Sequence, residues 1–343
     1  MGAWQIIAGL LILGIMVTVH ELGHFGMGKW LRVAVEDFSI GMGPAIYRRK
    51  FRETEFCLRL LPIGGMCRFL GEDEEAPDPR AFNNQPKWKR ALIIVAGPVM
   101  NVLFALCIGV LLLSAIGAYQ TVNRVYEVEP AMPAYTAGME NGDVIVGING
   151  QATDSYNEVS RLMKLDAESQ VTVTVERDGV VQDVVMQPVW DEATNKYRIG
   201  IVFDQERVKM GFFGAIAQSF RMNGEMLKEM ATALGRLVTR GEGVQDMAGP
   251  VGIIDMVGKA TQQGMDMVLL MMMMISLNLG LVNMLPFPAL DGGRLVFLLI
   301  ELIRGKPFDR NKEGLVNLIG LGLLFTVMIF FTWQDIARKI SGS

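Results

Sequence analysis

The run Trp4-Gln-Ile-Ile-Ala-Gly-Leu-Leu-Ile-Leu-Gly-Ile-Met-Val-Thr-Val-His20-Glu21-Leu22-Gly23-His24 decides how the rest of the chain reads. From Trp4 to Val19 it is apolar and long enough to enter a bilayer. It then places three ionisable side chains in the same stretch, where each costs free energy unless it has a task. On a helix, positions i and i+4 sit one turn apart on one face, so both imidazoles reach a single ion. Glu21 lies on the neighbouring face, within reach of a water the ion also holds. His20 and His24 are the only histidines in the chain.

Composition sets the frame. The chain has 343 residues, 51% of them apolar, with a mean hydropathy of +0.32. Such values point to membrane spans. Four segments are apolar enough to cross: 4–25, 91–117, 266–289 and 314–333. The net charge of -4 and the lack of a Lys/Arg-rich run give no reason to expect nucleic acid as a partner. Cys57, Cys67 and Cys107 form no CxxC pair, and an odd count argues against a disulfide framework. The N-terminus lacks a basic leader and a small-x-small cleavage site, so residues 4–25 are expected to stay as a transmembrane helix.

Lys and Arg orient the spans. Between spans one and two lie Lys29, Arg32, Arg48, Arg49, Lys50, Arg52, Arg59, Arg68, Arg80, Lys87, Lys89 and Arg90; between spans three and four lie Arg304, Lys306, Arg310 and Lys312. Both connections are expected on the cytoplasmic side, and both termini outside. Arg338 and Lys339 weigh weakly against this. His20 then lies about 24 Å down span one at 1.5 Å per residue, toward the cytoplasmic face. Asp291, just past span three, falls at the same depth.

Between these landmarks the pattern varies. Residues 55–61 and 66–70, separated by Pro62-Ile-Gly-Gly, read as a β-hairpin that could pair with an extended peptide. Glu72 to Arg80 reads as an acidic surface loop. Residues 171–177 and 180–186 read as strands about an Asp-Gly turn. Ala134 to Gly150, with Gly-Met-Glu-Asn-Gly-Asp-Val-Ile-Val-Gly-Ile-Asn-Gly, resembles a PDZ domain of exported proteases. Phe213, Ile216, Phe220, Leu227, Met230, Leu234 and Leu237 recur near helical spacing. Gly249-Pro-Val-Gly-Ile reads as a turn. The methionine-dense Met267 to Met284 reads as packing or lipid-facing surface.

Two histidines leave a tetrahedral zinc one protein ligand short when one position is kept for water. With no further histidine, the third must be Asp, Glu or Cys. The strongest candidate is Asp291, in Asn283-Met-Leu-Pro286-Phe-Pro288-Ala-Leu-Asp291-Gly-Gly. Pro286 and Pro288 interrupt span three, and such a break is tolerated only where protein or water satisfies the freed groups.

The pattern H-E-x-x-H is that of zinc metalloproteases. With the second motif, the chain resembles the site-2 proteases, intramembrane zinc metalloproteases, and in layout their regulator-of-sigma-E branch. Phe38-Ser-Ile-Gly-Met-Gly-Pro44 is similar to the family's Gly-rich segment, with Met42 where Phe is common. Pro62-Ile-Gly-Gly and Ala96-Gly-Pro-Val-Met-Asn101 also correspond. The resemblance implies that His20, His24 and Asp291 hold Zn2+ and that Glu21 is the general base. It implies substrate contacts at Asn283, Pro286, Gly64 and Gly65. The implied fold is an α-helical polytopic membrane protein of about four transmembrane helices, with a membrane-associated β-hairpin region and an inserted extracytoplasmic PDZ domain. Its parts are a membrane half at 1–120, the PDZ domain at 121–206, an amphipathic segment at 207–262 and a second membrane half at 263–343. The implied activity is the second cut of single-span membrane proteins, such as anti-sigma factors or remnant signal peptides, in the bacterial cytoplasmic membrane. A non-proteolytic PDZ scaffold would need neither Glu21 nor zinc. A metal transporter using the same three ligands has no use for Glu21 or for a PDZ domain.

Overall fold

The computed structural model describes residues 2–72, 74, 76–163, 170–192, 195–243, 247–306 and 308–341. Its elements run α1 (Ala3–Trp30), β1 (Val35–Phe51), β2 (Thr54–Phe69), α2 (Lys87–Leu111), β3 (Ala118–Val128), α3 (Pro133–Thr136), β4 (Val144–Ile148), β5 (Gln151–Ala152), α4 (Tyr156–Leu162), β6 (Val171–Arg177), β7 (Val180–Met186), β8 (Val189–Asp191), β9 (Lys196–Arg198), β10 (Ile201–Val208), α5 (Phe212–Arg240), α6 (Pro250–Gln263), α7 (Met265–Asn283), α8 (Asp291–Arg304) and α9 (Arg310–Ser341). Two compact units result: Met1–Ile116 with Gly211–Ser343, and Gly117–Met210.

Among the described residues, the first unit carries four helices long and apolar enough to span a bilayer, within Ala3–Trp30, Lys87–Ile116, Met265–Asn283 and Lys312–Lys339. The chain is a polytopic membrane protein. Helices α1 and α2 approach closely because glycine lets them. A Cβ on Gly23 would lie 2.3 Å from the Ala96 carbonyl oxygen, and one on Gly9 would meet Ile254 of α6. Behind α2, Ala105, Ile108, Leu112, Leu269, Met273 and Leu277 form a buried cluster with α7.

The hairpin expected from residues 55–61 and 66–70 does not form. Both runs belong to the single long strand β2. Strands β1 and β2 bend so that residues 35–40 pair with 65–69 on one side and with 55–58 on the other, and 54–59 pair in turn with 45–51. The spatial order is therefore 65–69, 35–40, 55–58, 45–51. The tight turn falls at Arg52-Glu53, with Arg52 at a φ of 55°. Between 58 and 65 the chain does reverse, but it passes over 35–40, so the two runs are antiparallel without being neighbours. The sequence pattern could not separate these two routes, because both use the same apolar runs.

This sheet lies along α1. A Cβ on Gly14 would sit 2.4 Å from the Pro62 carbonyl oxygen, and one on Gly28 would sit 2.4 Å from the Phe69 ring. At 1.5 Å per residue those contacts span about 21 Å of the helix. Non-helical backbone thus runs beside a membrane span over that length.

Helix α5 answers to the sequence periodicity, but with an unexpected buried face. Ala215, Ser219 and Asn223 are buried, whereas Phe213 and Phe220 are exposed. The small residues allow close approach to α2, where Ser219 Oγ donates to the Leu106 carbonyl at 2.9 Å. Of the apolar residues, Leu227 and Met230 pack against the α2–α7 cluster, while Phe213 and Phe220 stay uncovered. Gly249-Pro250 opens a helix, α6, and not a plain turn; proline suits a first helical position because its missing N–H has no partner there anyway. Asp335 of α9 accepts from Gly252 N at 2.7 Å and so caps α6 from another helix.

The second unit is a β-domain with sheet order β10-β3-β4-β6-β7 and β5 added on β4. Residues 171–177 and 180–186 form strands as the sequence suggests. Val171, Val173 and Val175 alternate into its core beside Ile145, Ile148, Val184 and Met186. Asp143 is buried and accepts from Arg177 Nε at 2.7 Å and Nη2 at 2.8 Å. Burial alone would raise the Asp143 carboxyl, but Arg177 and the Glu140 N–H outweigh it and hold it below the usual carboxylate range.

Candidate active site

His20, Glu21 and His24 occupy the second half of α1. Asp291 is the first residue of α8, which the sequence reading left as a plain connection. Helix α7 ends at Asn283, short of the expected 289. Residues 284–290 then turn sharply, with Ala289 at a φ of 72°, so that α8 starts beside α1. The turn closes tightly on the two glycines after Asp291: a Cβ on Gly292 would lie 2.2 Å from the Leu285 carbonyl oxygen, and one on Gly293 2.3 Å from that of Phe287.

Three donor atoms converge. His20 Nε2 lies 3.0 Å from Asp291 Oδ2, His24 Nε2 lies 3.5 Å from the same oxygen, and the two Nε2 atoms are 3.1 Å apart. A tetrahedral zinc with bonds of about 2.0–2.1 Å separates its ligand atoms by roughly 3.3 Å. The triangle has that size. Asp291 Oδ2 is buried and lacks a satisfied hydrogen bond, which is what a carboxylate oxygen aimed at a cation would show. His24 Nδ1 donates to the Ile93 carbonyl at 2.8 Å, which leaves Nε2 with a free lone pair. Pro98 lies inside α2 and leaves the neighbouring Ile94 carbonyl without its helical donor. The donor set of two imidazoles and one carboxylate suits Zn2+ with one position left open. Cys67 lies near, but burial pushes its thiol well above the usual range and keeps it protonated. Among the described residues, a second group with metal-like spacing is Asp37, Glu55 and Cys57; Asp37 is already taken up by Ser39.

A cavity of about 310 Å³ opens on this triangle, lined by residues that include Glu21, Gly65, Met66, Cys67, Asn283 and Arg294. Successive strand residues point to opposite faces, so a strand that borders a cavity with Gly65, Met66 and Cys67 presents its edge to it. Segment 65–69 pairs with 35–40 on one side and has no strand partner on the other among the described residues. Gly65 is needed there, since a Cβ would come 2.8 Å from Glu21 Cγ. Of the residues implicated from sequence, His20, Glu21, His24, Asp291, Asn283 and Gly65 line the one cavity; Gly64 and Pro286 do not. Gly64 instead has a φ of 83° and turns the chain against Met42.

Sequence reasoning missed Gly97. A Cβ there would stand 2.3 Å from His24 Nε2 and 2.9 Å from His20 Cε1. It also missed Arg294, which pairs with Glu72 at the cavity. The run Ala96–Asn101 is among the motifs of the resemblance, but nothing in it announces that Gly97 meets the imidazoles, and nothing local marks Arg294.

Residues 8–327 match the model of peptidase family M50. The chain is 30% identical to the regulator of sigma-W protease RasP of Bacillus subtilis strain 168, covering 97% of this chain and 98% of that one. It is 28% identical to the zinc metalloprotease RasP of Geobacillus kaustophilus, covering 97% and 98%. The PDZ domain of an SdrC-like protein from Listeria innocua aligns with 26% of this chain and 98% of its own length, at 22% identity and a TM-score of 0.22.

Proposed function

The chain belongs to peptidase family M50, and on that premise we propose that it makes the second cut in single-span membrane proteins, of the anti-sigma factor or remnant signal peptide type. The coarser statement is already secure: it is an intramembrane zinc metalloprotease acting on membrane proteins. The observation that carries the finer reading is the meeting, in one cavity, of the donor triangle, Glu21 and an unpaired strand edge.

His20, His24 and Asp291 would hold the zinc. When bound, the metal polarises the scissile carbonyl and brings the pKa of a water to about 7. Glu21 takes the proton of that water on its carboxylate and returns it to the leaving amine. A substrate helix has its backbone bonds satisfied internally, so it must unwind before its peptide bond is exposed. The free edge of 65–69 receives the unwound stretch as an added strand, and the Asn283 amide holds it near the site. Helix-weakening residues near the cut favour this exchange.

The basic connections support an active site toward the cytoplasmic face of a bacterial inner membrane. The β-domain at Gly117–Met210 then lies outside, as a PDZ domain that bars substrates with large outer parts. Such a filter suits an enzyme that acts after another protease has trimmed its substrate. Equal cleavage of trimmed and untrimmed substrate would remove the filter from the account.

The test is cleavage of a trimmed single-span substrate by purified protein in detergent, with zinc content measured alongside. Glu21→Gln is expected to keep zinc and lose about 10²–10⁴-fold in rate. Cleavage by Glu21→Gln at the wild-type rate would refute the assignment of the base.

A further inference from the structure

His20 reaches the metal position through Nε2. A neutral imidazole carries one N–H, so a lone pair on Nε2 requires the proton on Nδ1. That proton needs an acceptor. His24 meets the same demand with the Ile93 carbonyl. His20 Nδ1 faces the side chain of Asn101, at 3.1 Å from the atom placed as Nδ2. An amide nitrogen there would donate, forcing the proton to Nε2 and removing the lone pair from the metal. The other amide atom, Oδ1, is buried without a hydrogen-bond partner. Amide oxygen and nitrogen are told apart only by their hydrogen bonds. Turning the amide over puts its oxygen on the Nδ1 proton and resolves that conflict.

We propose that Asn101 is the positioning residue of His20: its side-chain oxygen accepts the Nδ1 proton, fixes the tautomer and aims Nε2 at the zinc. The proposal rests on His20 being a ligand, as argued above. Asn101 is completely buried. Its backbone is held independently of its amide, since its carbonyl accepts from Ser276 Oγ of α7 at 2.8 Å. Gly280 lies against it, with a Cβ there only 3.5 Å from Asn101 Cβ. The side chain is therefore clamped between α2 and α7 and has little freedom to leave the ring. Acceptors of this kind typically change metal affinity by about 10–100-fold.

The experiment is chelator competition for zinc in detergent, with thermal unfolding of the zinc-free protein, on wild type and four variants. Asn101→Leu keeps the shape and removes the acceptor; it is expected to weaken zinc binding by about 10–100-fold. Asn101→Asp retains an acceptor and is expected to stay within a few-fold of wild type. Ser276→Ala removes the tie between α7 and α2 without touching His20, and is expected to leave zinc affinity unchanged. His20→Ala is expected to lose zinc whatever Asn101 does, which separates failure of the metal site from failure of this proposal. Asn101→Leu binding zinc as wild type does would overturn it. So would Ser276→Ala losing as much affinity as Asn101→Leu, because the effect would then be packing. Should Asn101→Leu fail to fold, Asn101→Asp decides alone: a loss of 10-fold or more in a protein that unfolds at the wild-type temperature overturns the proposal.

Discussion

Gly97→Ala adds one methyl group and is expected to disable the site. In the interior of a helix this change normally stabilises, by about 0.5–1 kcal/mol. Here the new Cβ would lie 2.3 Å from His24 Nε2, 2.5 Å from His24 Cε1 and 2.9 Å from His20 Cε1. Ordinary contact begins near 3.4 Å. The rings or helix α2 must therefore yield by about 1 Å. A zinc–nitrogen bond is only about 2.0–2.1 Å long, so a shift of that size takes an imidazole out of coordination. A misplacement of about 1 Å costs roughly 10²-fold in rate, close to 2.7 kcal/mol. The assay is kcat/KM on a single-span substrate in detergent, paired with zinc affinity by chelator competition. Both are expected to fall, zinc affinity by at least about tenfold. Gly26→Ala is the control, since a Cβ there meets nothing within 4 Å; it is expected to leave both values unchanged. Wild-type zinc affinity and rate in Gly97→Ala would refute the claim that α2 packs on the imidazoles through this glycine.

Two further predictions concern stability. Arg177→Ala strands the buried Asp143 carboxylate and is expected to cost the β-domain about 3 kcal/mol, read as a lower unfolding temperature. Asp143 has its folded-state pKa lowered, so the pair's contribution is complete above the unfolded carboxylate value and is lost as pH falls through the lower folded value. Arg177→Ala should accordingly flatten the acid end of the stability profile, and an unchanged profile would count against the pairing. Asp335→Ala removes the acceptor that caps α6 and is expected to destabilise the protein by about 1 kcal/mol with zinc affinity intact, checked by thermal unfolding in detergent.

Residues near one another in the chain were the legible ones. The i, i+4 spacing of His20 and His24, the four apolar spans and the strands at 171–177 and 180–186 all rest on local periodicity, which a sequence carries openly. Asp291 was legible as a carboxylate beside two prolines. Helix α8, which positions it, was not, because its mixed charged and apolar residues read as a connection. Helix α6 was hidden behind a Gly-Pro pair that reads equally as a turn. The hairpin failed for a different reason: residues 55–61 and 66–70 were correctly seen as extended, but the choice of partner is a long-range decision.

What the sequence by itself determined is the chemistry: two imidazoles, a carboxylate and a base, carried on helices that must cross a bilayer. What only the tertiary structure decided is which backbone meets that chemistry. Residues 35–40 separate 55–58 from 65–69 and leave a strand edge at Glu21 that has no strand partner among the described residues. Gly97 lets α2 lie against both imidazoles, and the Ile93 carbonyl selects the nitrogen that His24 turns toward Asp291. The physical reason is that a motif depends on spacing within one helix, whereas strand order, close approach and tautomer depend on atoms that only packing brings together.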